Sequence, residues 1–251
     1  MIEEHPITAA ALIIGDEILS GRTKDRNIGQ IADHLTSIGI KLVEVRVVAD
    51  DRDGIIEALN ALRAKYTYVF TSGGIGPTHD DITAEAVACA FDEALEVNSE
   101  VAAQMKVAYE KKGLELNSAR MRMARIPKGA KLVPNDLSVA PGFQIGNVIV
   151  MAGVPAILDG MLKEATKTLK KGQRTHSMGL VLDNAEGEIA DLYAKHQTEW
   201  PSIQMGSYPS FKDGAYVTEL VLRGHDPVTL QRASMALQVK LREHKFQFKS
   251  K

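Results

Sequence analysis

The first two thirds of the chain alternate between two patterns of apolar residues. Residues 9–14 are continuously apolar, as expected of a strand that is buried on both faces of a parallel sheet. Apolar residues then recur at helical spacing from Ile28 to Ile38, and Gly39 marks the end of that helix. The same criteria predict strands at 40–48, 68–71 and 147–151, and helices around 55–62, 82–91, 97–112 and 157–169.

The order of these elements predicts the fold class. Strands that alternate with amphipathic helices favour an α/β architecture, in which a parallel or mostly parallel sheet is covered by helices on both faces. A polar stretch rich in proline and glycine, residues 126–146, is expected to be irregular or to form a hairpin.

A change of pattern near residues 169–177 (LKKGQRTHS) indicates a domain boundary. We expect residues 1–172 to form the α/β domain and residues 173–251 to form a small α+β module. Within the module the patterns predict the order β-α-β-β-α, with strands at 178–182, 202–208 and 215–223 and helices at 186–196 and 226–244.

Composition narrows the class of protein. Of the 251 residues, 45% are apolar and 25% are charged, which is the profile of a soluble globular protein. The formal net charge of -2 does not favour binding to nucleic acid or to an anionic membrane. The acidic N-terminus and its short apolar run predict a cytoplasmic protein without a secretory signal. The single cysteine, Cys89, excludes an internal disulfide and is expected to pack in the core.

The segment TSGGIGPTHDD, residues 71–81, carries the clearest chemical signal, and we name it the Gly-rich loop. It lies between a predicted strand and a predicted helix, at the edge where open α/β sheets bind ligands. Glycines let backbone N–H groups approach an anion closely, and the N-terminus of the following helix adds further donors. We therefore expect the loop to bind a phosphorylated small molecule through Ser72, Gly73, Gly74, Gly76, Pro77 and Thr78.

Two acidic residues, Asp80 and Asp81, stand at the end of this loop and by themselves would repel a phosphate. They make chemical sense if a divalent cation bridges them to the phosphate, or if one of them acts as a base. The alternative is structural, because acids stabilise a helix N-terminus and Thr78 with Asp81 resembles a capping box.

A second acidic pair, Asp16 and Glu17, follows the first predicted strand and Gly15. In a parallel sheet this pair reaches the same edge as the Gly-rich loop, so it is a candidate for holding a metal ion or for acting as a base. A turn followed by a capped helix is the alternative, since acidic residues are common there.

Weaker candidates lie in two predicted turns. Pro141 and Gly142 form part of one turn, and Gly153 and Pro155 form part of another that ends a buried strand at the predicted binding edge. We assign all four to ligand binding. Asn27 opens a helix and is expected to serve only as its N-cap.

Six segments together resemble a known family: GDEILSG at 15–21, TSGGIGPTHDDITAEAVACAF at 71–91, IPKGAKLVPN at 126–135, APGF at 140–143, GVP at 153–155 and MGSYPSF at 205–211. They are similar to the molybdopterin-binding-like (MoaB/MogA-type) domain family. Within that family they resemble the N-terminal domain of competence/damage-inducible protein A (CinA) and the molybdopterin-binding-like domain of eukaryotic FAD synthases. The resemblance covers nearly the whole chain.

The resemblance implies a three-layer αβα fold with the ligand site at the Gly-rich loop. It implies that Asp16, Asp80 and Asp81 match acidic residues of relatives that cleave pyrophosphates with a metal ion, and we assign these three to catalysis. We expect them, together with Glu17, to hold a divalent cation such as Mg²⁺, Mn²⁺ or Co²⁺. The adenylyltransferases of the family usually have Thr where this loop has Ile75, so adenylyl transfer to molybdopterin is not expected.

Three functions remain open. The leading one is a metal-dependent pyrophosphatase that acts on a nucleoside diphosphate-linked small molecule resembling ADP-ribose or FAD. The second is a molybdopterin- or nucleotide-binding protein of molybdenum cofactor metabolism that does not turn over its ligand. The third is an interaction module in which residues 175–251 bind a partner protein. The resemblance also implies a homo-oligomer, for which we expect a dimer, and we expect neither nucleic acid nor a membrane as a partner.

Overall fold

A mixed sheet organises the first part of the chain. The computed structural model describes residues 6–212 and 214–251, which divide into a first unit ending at Gly172 and a second unit, Gln173–Lys251. Within the described residues of the first unit, six strands form the main sheet in the spatial order β2-β1-β3-β8-β7-β6. Their bounds are β1 Thr8–Ile14, β2 Lys41–Val48, β3 Tyr68–Ser72, β6 Lys131–Val133, β7 Gly142–Ile145 and β8 Val148–Met151.

The direction of the strands sets the shape of the functional edge. β1 runs parallel to both β2 and β3, and β3 runs parallel to β8. β7 and β6 continue the sheet in antiparallel pairing beyond β8. The carboxyl ends of four adjacent strands therefore meet at one edge. A separate two-stranded sheet pairs β4 (Leu95–Val97) with β5 (Arg125–Pro127).

Helices cover both faces of the main sheet. Alternate residues of β1 point to opposite faces, and all residues from Ala9 to Ile14 are buried. One face packs on α2 and α7, and the other packs on α3 and α4. Each fully buried Leu or Ile contributes about 1.5–3 kcal/mol to folding. The helices of this unit are α1 Asp16–Leu19, α2 Asn27–Ser37, α3 Arg52–Lys65, α4 Thr83–Ala90, α5 Ser99–Lys111, α6 Ser118–Met121 and α7 Pro155–Ala165.

The predicted α/β class with a mostly parallel sheet and helices on both faces is confirmed. The hairpin alternative for the stretch 126–146 is confirmed, because β6 and β7 are consecutive antiparallel strands that extend the main sheet. At the start of this stretch, β5 pairs with β4. The predicted helix at 97–112 begins later, at Ser99, because Asn98 caps it by accepting a hydrogen bond from Val101 N.

The prediction that Cys89 packs in the core is wrong. Cys89 is exposed on α4, and its Sγ lies 3.1 Å from a guanidinium nitrogen of Arg52. The buried face of this helix consists instead of Thr83, Ala86, Val87 and Ala88.

The second unit is a two-layer module. Its strands, β9 His176–Leu182, β10 Gln204–Lys212, β11 Ala215–Gly224 and β12 Phe248–Ser250, pair in the antiparallel order β10-β11-β9-β12. Its helices, α8 Glu186–Glu199 and α9 Pro227–Glu243, share one apolar core with the strands. β12 is absent from the predicted order, because three residues with a single apolar side chain show no strand pattern.

Among the described residues, no helix combines the length and the apolar character that crossing a bilayer requires.

His196 in α8 is a buried titratable group of the second unit. Its Nε2 lies 2.9 Å from the carbonyl oxygen of Ala233, which makes Nε2 the donor. Burial lowers the pKa of His196 below its ordinary value of 6.5, although the hydrogen bond to Ala233 opposes this change. The folded unit therefore keeps this imidazole neutral at pH values where the unfolded chain protonates it.

We expect acid to destabilise the fold partly through His196. As the pH falls through 6.5, His196 becomes protonated in the unfolded chain but stays neutral in the folded one. The free energy of unfolding therefore decreases. His196→Gln retains a donor for Ala233 but does not titrate, so its stability should fall less between pH 8 and pH 5. Denaturant unfolding across this range measures the effect, and exposed His225→Gln is the matched control. Equal pH slopes for wild type and His196→Gln would contradict the assignment.

Candidate functional site

The four parallel strands end in the segments that the sequence analysis singled out, and in one that it did not. β1 ends before Gly15, β3 ends at Ser72, and β8 ends shortly before Gly153. β2 ends before Asp50, whose carboxylate accepts a hydrogen bond from Asp16 N at 2.9 Å. Because these strands are neighbours, their ends form one continuous edge.

The first half of the Gly-rich loop fits only glycine at two positions. Gly73 has φ +110°, and a Cβ there would lie 2.2 Å from the carbonyl oxygen of Ile14. Gly74 has φ +68°, and its Cβ would lie 2.1 Å from Thr83 Oγ1. Thr83 in turn donates from its hydroxyl to Gly73 O and from its N–H to Gly74 O, both at 3.0 Å. The loop is therefore pressed between the end of β1 and the start of α4.

Asp81 holds the second half of the loop. Its Oδ1 accepts from Gly76 N at 2.6 Å, and its Oδ2 accepts from Thr78 N at 2.7 Å and from Thr78 Oγ1 at 2.5 Å. This pairing resembles the predicted capping box, but it closes a turn within the loop, since α4 begins only at Thr83. Both oxygens of Asp81 are thus engaged by the loop itself.

Asn27 does not act as the predicted N-cap. It is the first residue of α2, where Arg26 is the N-cap and Asp25 accepts a hydrogen bond from Ile28 N. The Asn27 amide is buried and donates to Ser72 Oγ at 2.8 Å and to Gly153 O at 2.6 Å. One side chain therefore ties α2 to the ends of both β3 and β8. A long-range role of this kind leaves no local sequence signal.

The acidic residues share one electrostatic environment. Burial raises the pKa of Asp50, and repulsion from the carboxylates of Asp16, Glu17 and Asp80 raises it further, against the hydrogen bond from Asp16 N. Sequence analysis missed Asp50 because it considered only β1 and β3 as sources of acids. Its position just after a parallel strand was the available signal.

Only some of the predicted metal-binding residues lie close to one another. Asp16 and Glu17 lie in α1 beside Asp50, and Asp80 is exposed, with His79 Nδ1 3.9 Å from one carboxylate oxygen. Asp81 faces the loop backbone. Across residues 6–212 and 214–251, no three carboxylate, imidazole or thiol groups lie close enough to hold a metal ion.

A cleft of about 480 Å³ opens beside Ser72 and Gly153. Its size lies within the range of small-molecule sites. Arg22, Lys24 and Arg26 line it, and they belong to residues 20–26, which we name the basic loop. The predicted site residues Glu17, Ser72, Gly153 and Pro155 and the buried Asn27 also face this cleft.

A second, much smaller cavity of about 10 Å³ lies against the second half of the Gly-rich loop. It is lined by Gly76, Asp81, Pro141, Arg122 and Arg125, among others, and has room for a single water molecule. The predicted ligand residue Gly142 starts β7, where a Cβ would lie 2.3 Å from Val150 O. Its lack of a side chain thus serves strand packing. Pro77 and Thr78 are exposed at the tip of the loop.

Gly73→Ala should destabilise the protein strongly. A left-handed backbone with a Cβ pressed against Ile14 O costs about 2–5 kcal/mol in strain and overpacking. Gly29→Ala is the matched control, because no atom lies within 4 Å of its Cβ position on the exposed face of α2, and it should stabilise by about 0.5–1 kcal/mol. Denaturant unfolding compares the two variants, and a loss below 1 kcal/mol for Gly73→Ala would refute the close approach.

Asn27→Ala should lower the free energy of unfolding by about 1–3 kcal/mol, because Gly153 O loses its donor. Asn60→Ala in α3 is the matched control, because the exposed Asn60 side chain only accepts a hydrogen bond from Arg63 Nε. It should change the free energy of unfolding by less than about 0.5 kcal/mol. Thermal or denaturant unfolding measures both. Equal stabilities of the two variants would show that the bridge between the strand ends is not formed.

Comparison with known proteins agrees with this architecture. The family described as "Probable molybdopterin binding domain" matches residues 10–171, and that described as "FAD synthase, middle domain" matches residues 174–250. A solved structure, the protein CinA with unknown function from Thermoplasma acidophilum, is 34% identical with a TM-score of 0.57, covering 62% of this chain and 94% of that one.

Two full-length relatives extend the similarity into the second unit. A "CinA-like protein" of Citrifermentans bemidjiense is 34% identical over 248 residues, covering 94% of this chain and 59% of that protein. A "Probable FAD synthase" of Caenorhabditis elegans is 30% identical over 263 residues, covering 94% of this chain and 50% of that protein. The chain thus spans half to about three fifths of these relatives. The resemblance inferred from the motifs is confirmed, and the chain belongs to the family of probable molybdopterin-binding domains.

Proposed function

We propose that the protein hydrolyses the pyrophosphate bond of a nucleoside diphosphate-linked small molecule, such as ADP-ribose or FAD, with the help of a divalent cation. The observation that carries this proposal is that acidic residues, which suit a cation, and groups that suit a phosphate lie at the same edge of the sheet. Carboxylates of Asp16, Glu17, Asp50 and Asp80 influence one another there, beside the Gly-rich loop and a cleft with basic residues.

Specific donors of the loop are available to a phosphate. The N–H groups of Gly73, Gly76 and Thr78 are engaged by Met151 O and Asp81. Within the described structure this leaves the N–H groups of Gly74 and Ile75 as donors close to Ser72, and those of His79 and Asp80 at the end of the loop. Ser72 Oγ accepts from Asn27, so its hydroxyl hydrogen can be donated to a ligand. Backbone amides and a fixed hydroxyl stabilise developing negative charge without reorganisation.

The acidic side of the edge fits a divalent cation. Its donors are all carboxylate oxygens, which Mg²⁺ and Mn²⁺ prefer. The mutual repulsion that raises the pKa of Asp50 would be relieved by such an ion. No three of these carboxylates, which all belong to the described residues, lie close enough to hold an ion in their present side-chain positions. Asp16, Glu17 and Asp80 would therefore have to converge on it, with Asp50 next to them. When bound, the cation supplies charge neutralisation for the pyrophosphate oxygens.

The residues of this chain would then position and deprotonate water. A water oxygen forms a bond to one phosphorus while the bond from that phosphorus to the bridging oxygen breaks, and the bridging oxygen leaves with the second phosphate. Asp50 is the proposed acceptor of the water proton, because it lies beside Asp16 at the strand ends and is not itself assigned to the cation. The carboxylate of Asp81 instead maintains the loop.

The names of the relatives support a nucleotide-related ligand. One relative is a "Probable FAD synthase", and the second unit matches the middle domain of FAD synthases. The description "Probable molybdopterin binding domain" favours a second candidate function: binding of a pterin or nucleotide without turnover. The two functions differ in whether a bond is broken.

The test is a hydrolysis assay with ADP-ribose and FAD in the presence of Mg²⁺, Mn²⁺ or Co²⁺, with release of AMP as the readout. We expect activity that a chelator abolishes and that Asp16→Asn, Asp50→Asn and Asp80→Asn each reduce by about 100-fold or more. Asp33→Asn, on the exposed face of α2, is the matched control and should retain activity.

Asp81→Ala tests a different role. It should reduce activity together with stability, because Gly76 N and Thr78 N lose their acceptor. Binding of both ligands without release of AMP, under all metal conditions, would replace the hydrolase with the binding protein.

A further inference from the structure

The basic loop carries more positive charge than a pyrophosphate site at the Gly-rich loop requires. Arg22, Lys24 and Arg26 are exposed, and all three line the cleft of about 480 Å³. In the part of the chain that the structure describes, no carboxylate lies within salt-bridge distance of any of the three. Cations that converge on a cleft without partners favour an anionic ligand.

The acids of the cleft are accounted for by other contacts. Asp25 accepts a hydrogen bond from Ile28 N at 2.8 Å and so helps to begin α2. Glu17 folds back over Gly15, since a Cβ on Gly15 would lie 2.5 Å from a Glu17 carboxylate oxygen. Glu17 therefore belongs with Asp16 and Asp50 at the end of β1. The basic loop, with its three cations and the single acid Asp25, keeps a net charge of +2.

The cleft is continuous with the Gly-rich loop. Ser72 and Gly153 line it, and Ser72 directly precedes Gly73. Asn27, which bridges Ser72 and Gly153, directly follows Arg26. A ligand whose pyrophosphate lies at the Gly-rich loop can thus extend through the cleft towards the basic loop.

We propose that the basic loop selects ligands that carry a phosphate monoester in addition to the pyrophosphate. A phosphate monoester has a charge of about −1.5 to −2 at neutral pH and three acceptor oxygens, which suits three converging cations better than a carboxylate does. Arg22 and Arg26 can each form paired hydrogen bonds to such a group, and Lys24 adds a point charge. The proposal depends on the proposed function, because it takes the same edge as the place of the pyrophosphate.

The test compares ligands that differ by one phosphate. Dissociation constants are measured by calorimetry at pH 7.5 for ADP-ribose, ADP-ribose 1″-phosphate and ADP-ribose 2′-phosphate. The 1″-phosphate lies on the terminal ribose and the 2′-phosphate on the ribose of the adenosine, so the two ligands test both ends of the molecule. We expect at least one phosphorylated ligand to bind about tenfold or more tightly than ADP-ribose. The triple variant Arg22→Gln, Lys24→Gln, Arg26→Gln should lose this preference, because its affinity for the phosphorylated ligand falls much more than its affinity for ADP-ribose.

The matched control removes three charges elsewhere. Lys106→Gln, Lys111→Gln and Lys112→Gln alter exposed lysines at the C-terminal half and end of α5, and should keep the preference. If neither phosphorylated ligand is preferred, or if the preference survives in the basic-loop variant, the proposal is overturned. Release of AMP from ADP-ribose is followed in parallel. If AMP is released but no phosphorylated ligand binds more tightly than ADP-ribose, only the proposal about the basic loop fails. If a phosphorylated ligand binds more tightly but no AMP is released, only the proposed hydrolysis fails.

Discussion

The site depends on one packing constraint, the direct contact between the end of β1 and the start of the Gly-rich loop. β1 lies between two parallel partners and is buried on both faces, so it has no freedom to move away. Gly73 can follow β3 only because hydrogen replaces a side chain against Ile14 O. This contact brings the acidic end of β1 and the phosphate-binding candidates of β3 to the same place.

Local patterns in the sequence predicted the elements that such a constraint requires. The unbroken apolar run at 9–14 indicated a strand buried on both faces, and the position of the glycines after β3 indicated the binding edge. Contacts made over long distances in the chain were not predictable. Asn27 looked like a helix cap, whereas its amide reaches residues 45 and 126 positions away. Cys89 follows three buried residues of α4, but the rotation of the helix leaves it exposed.

The sequence predicted that the site is acidic, but it did not reveal all of the charged residues there. The acids after β1 and in the Gly-rich loop were visible as clusters at the predicted edge, whereas Asp50, which Asp51 and Asp53 follow in the sequence, became relevant only through the parallel pairing of β1 and β2. The basic loop alternates cations with polar residues, a pattern that also fits a solvated surface. Only the cleft distinguishes the two interpretations.

Asp81 gives the Gly-rich loop an anion of its own. Its carboxylate receives the N–H groups of Gly76 and Thr78, as a bound phosphate would receive them elsewhere. The loop thus keeps its shape in the absence of a ligand, and little conformational entropy remains to be lost when one arrives. Because Asp81 occupies these two N–H groups, an incoming anion can bind only to the other hydrogen-bond donors of the loop. The side chain that rigidifies the loop therefore decides where on the loop a ligand can sit.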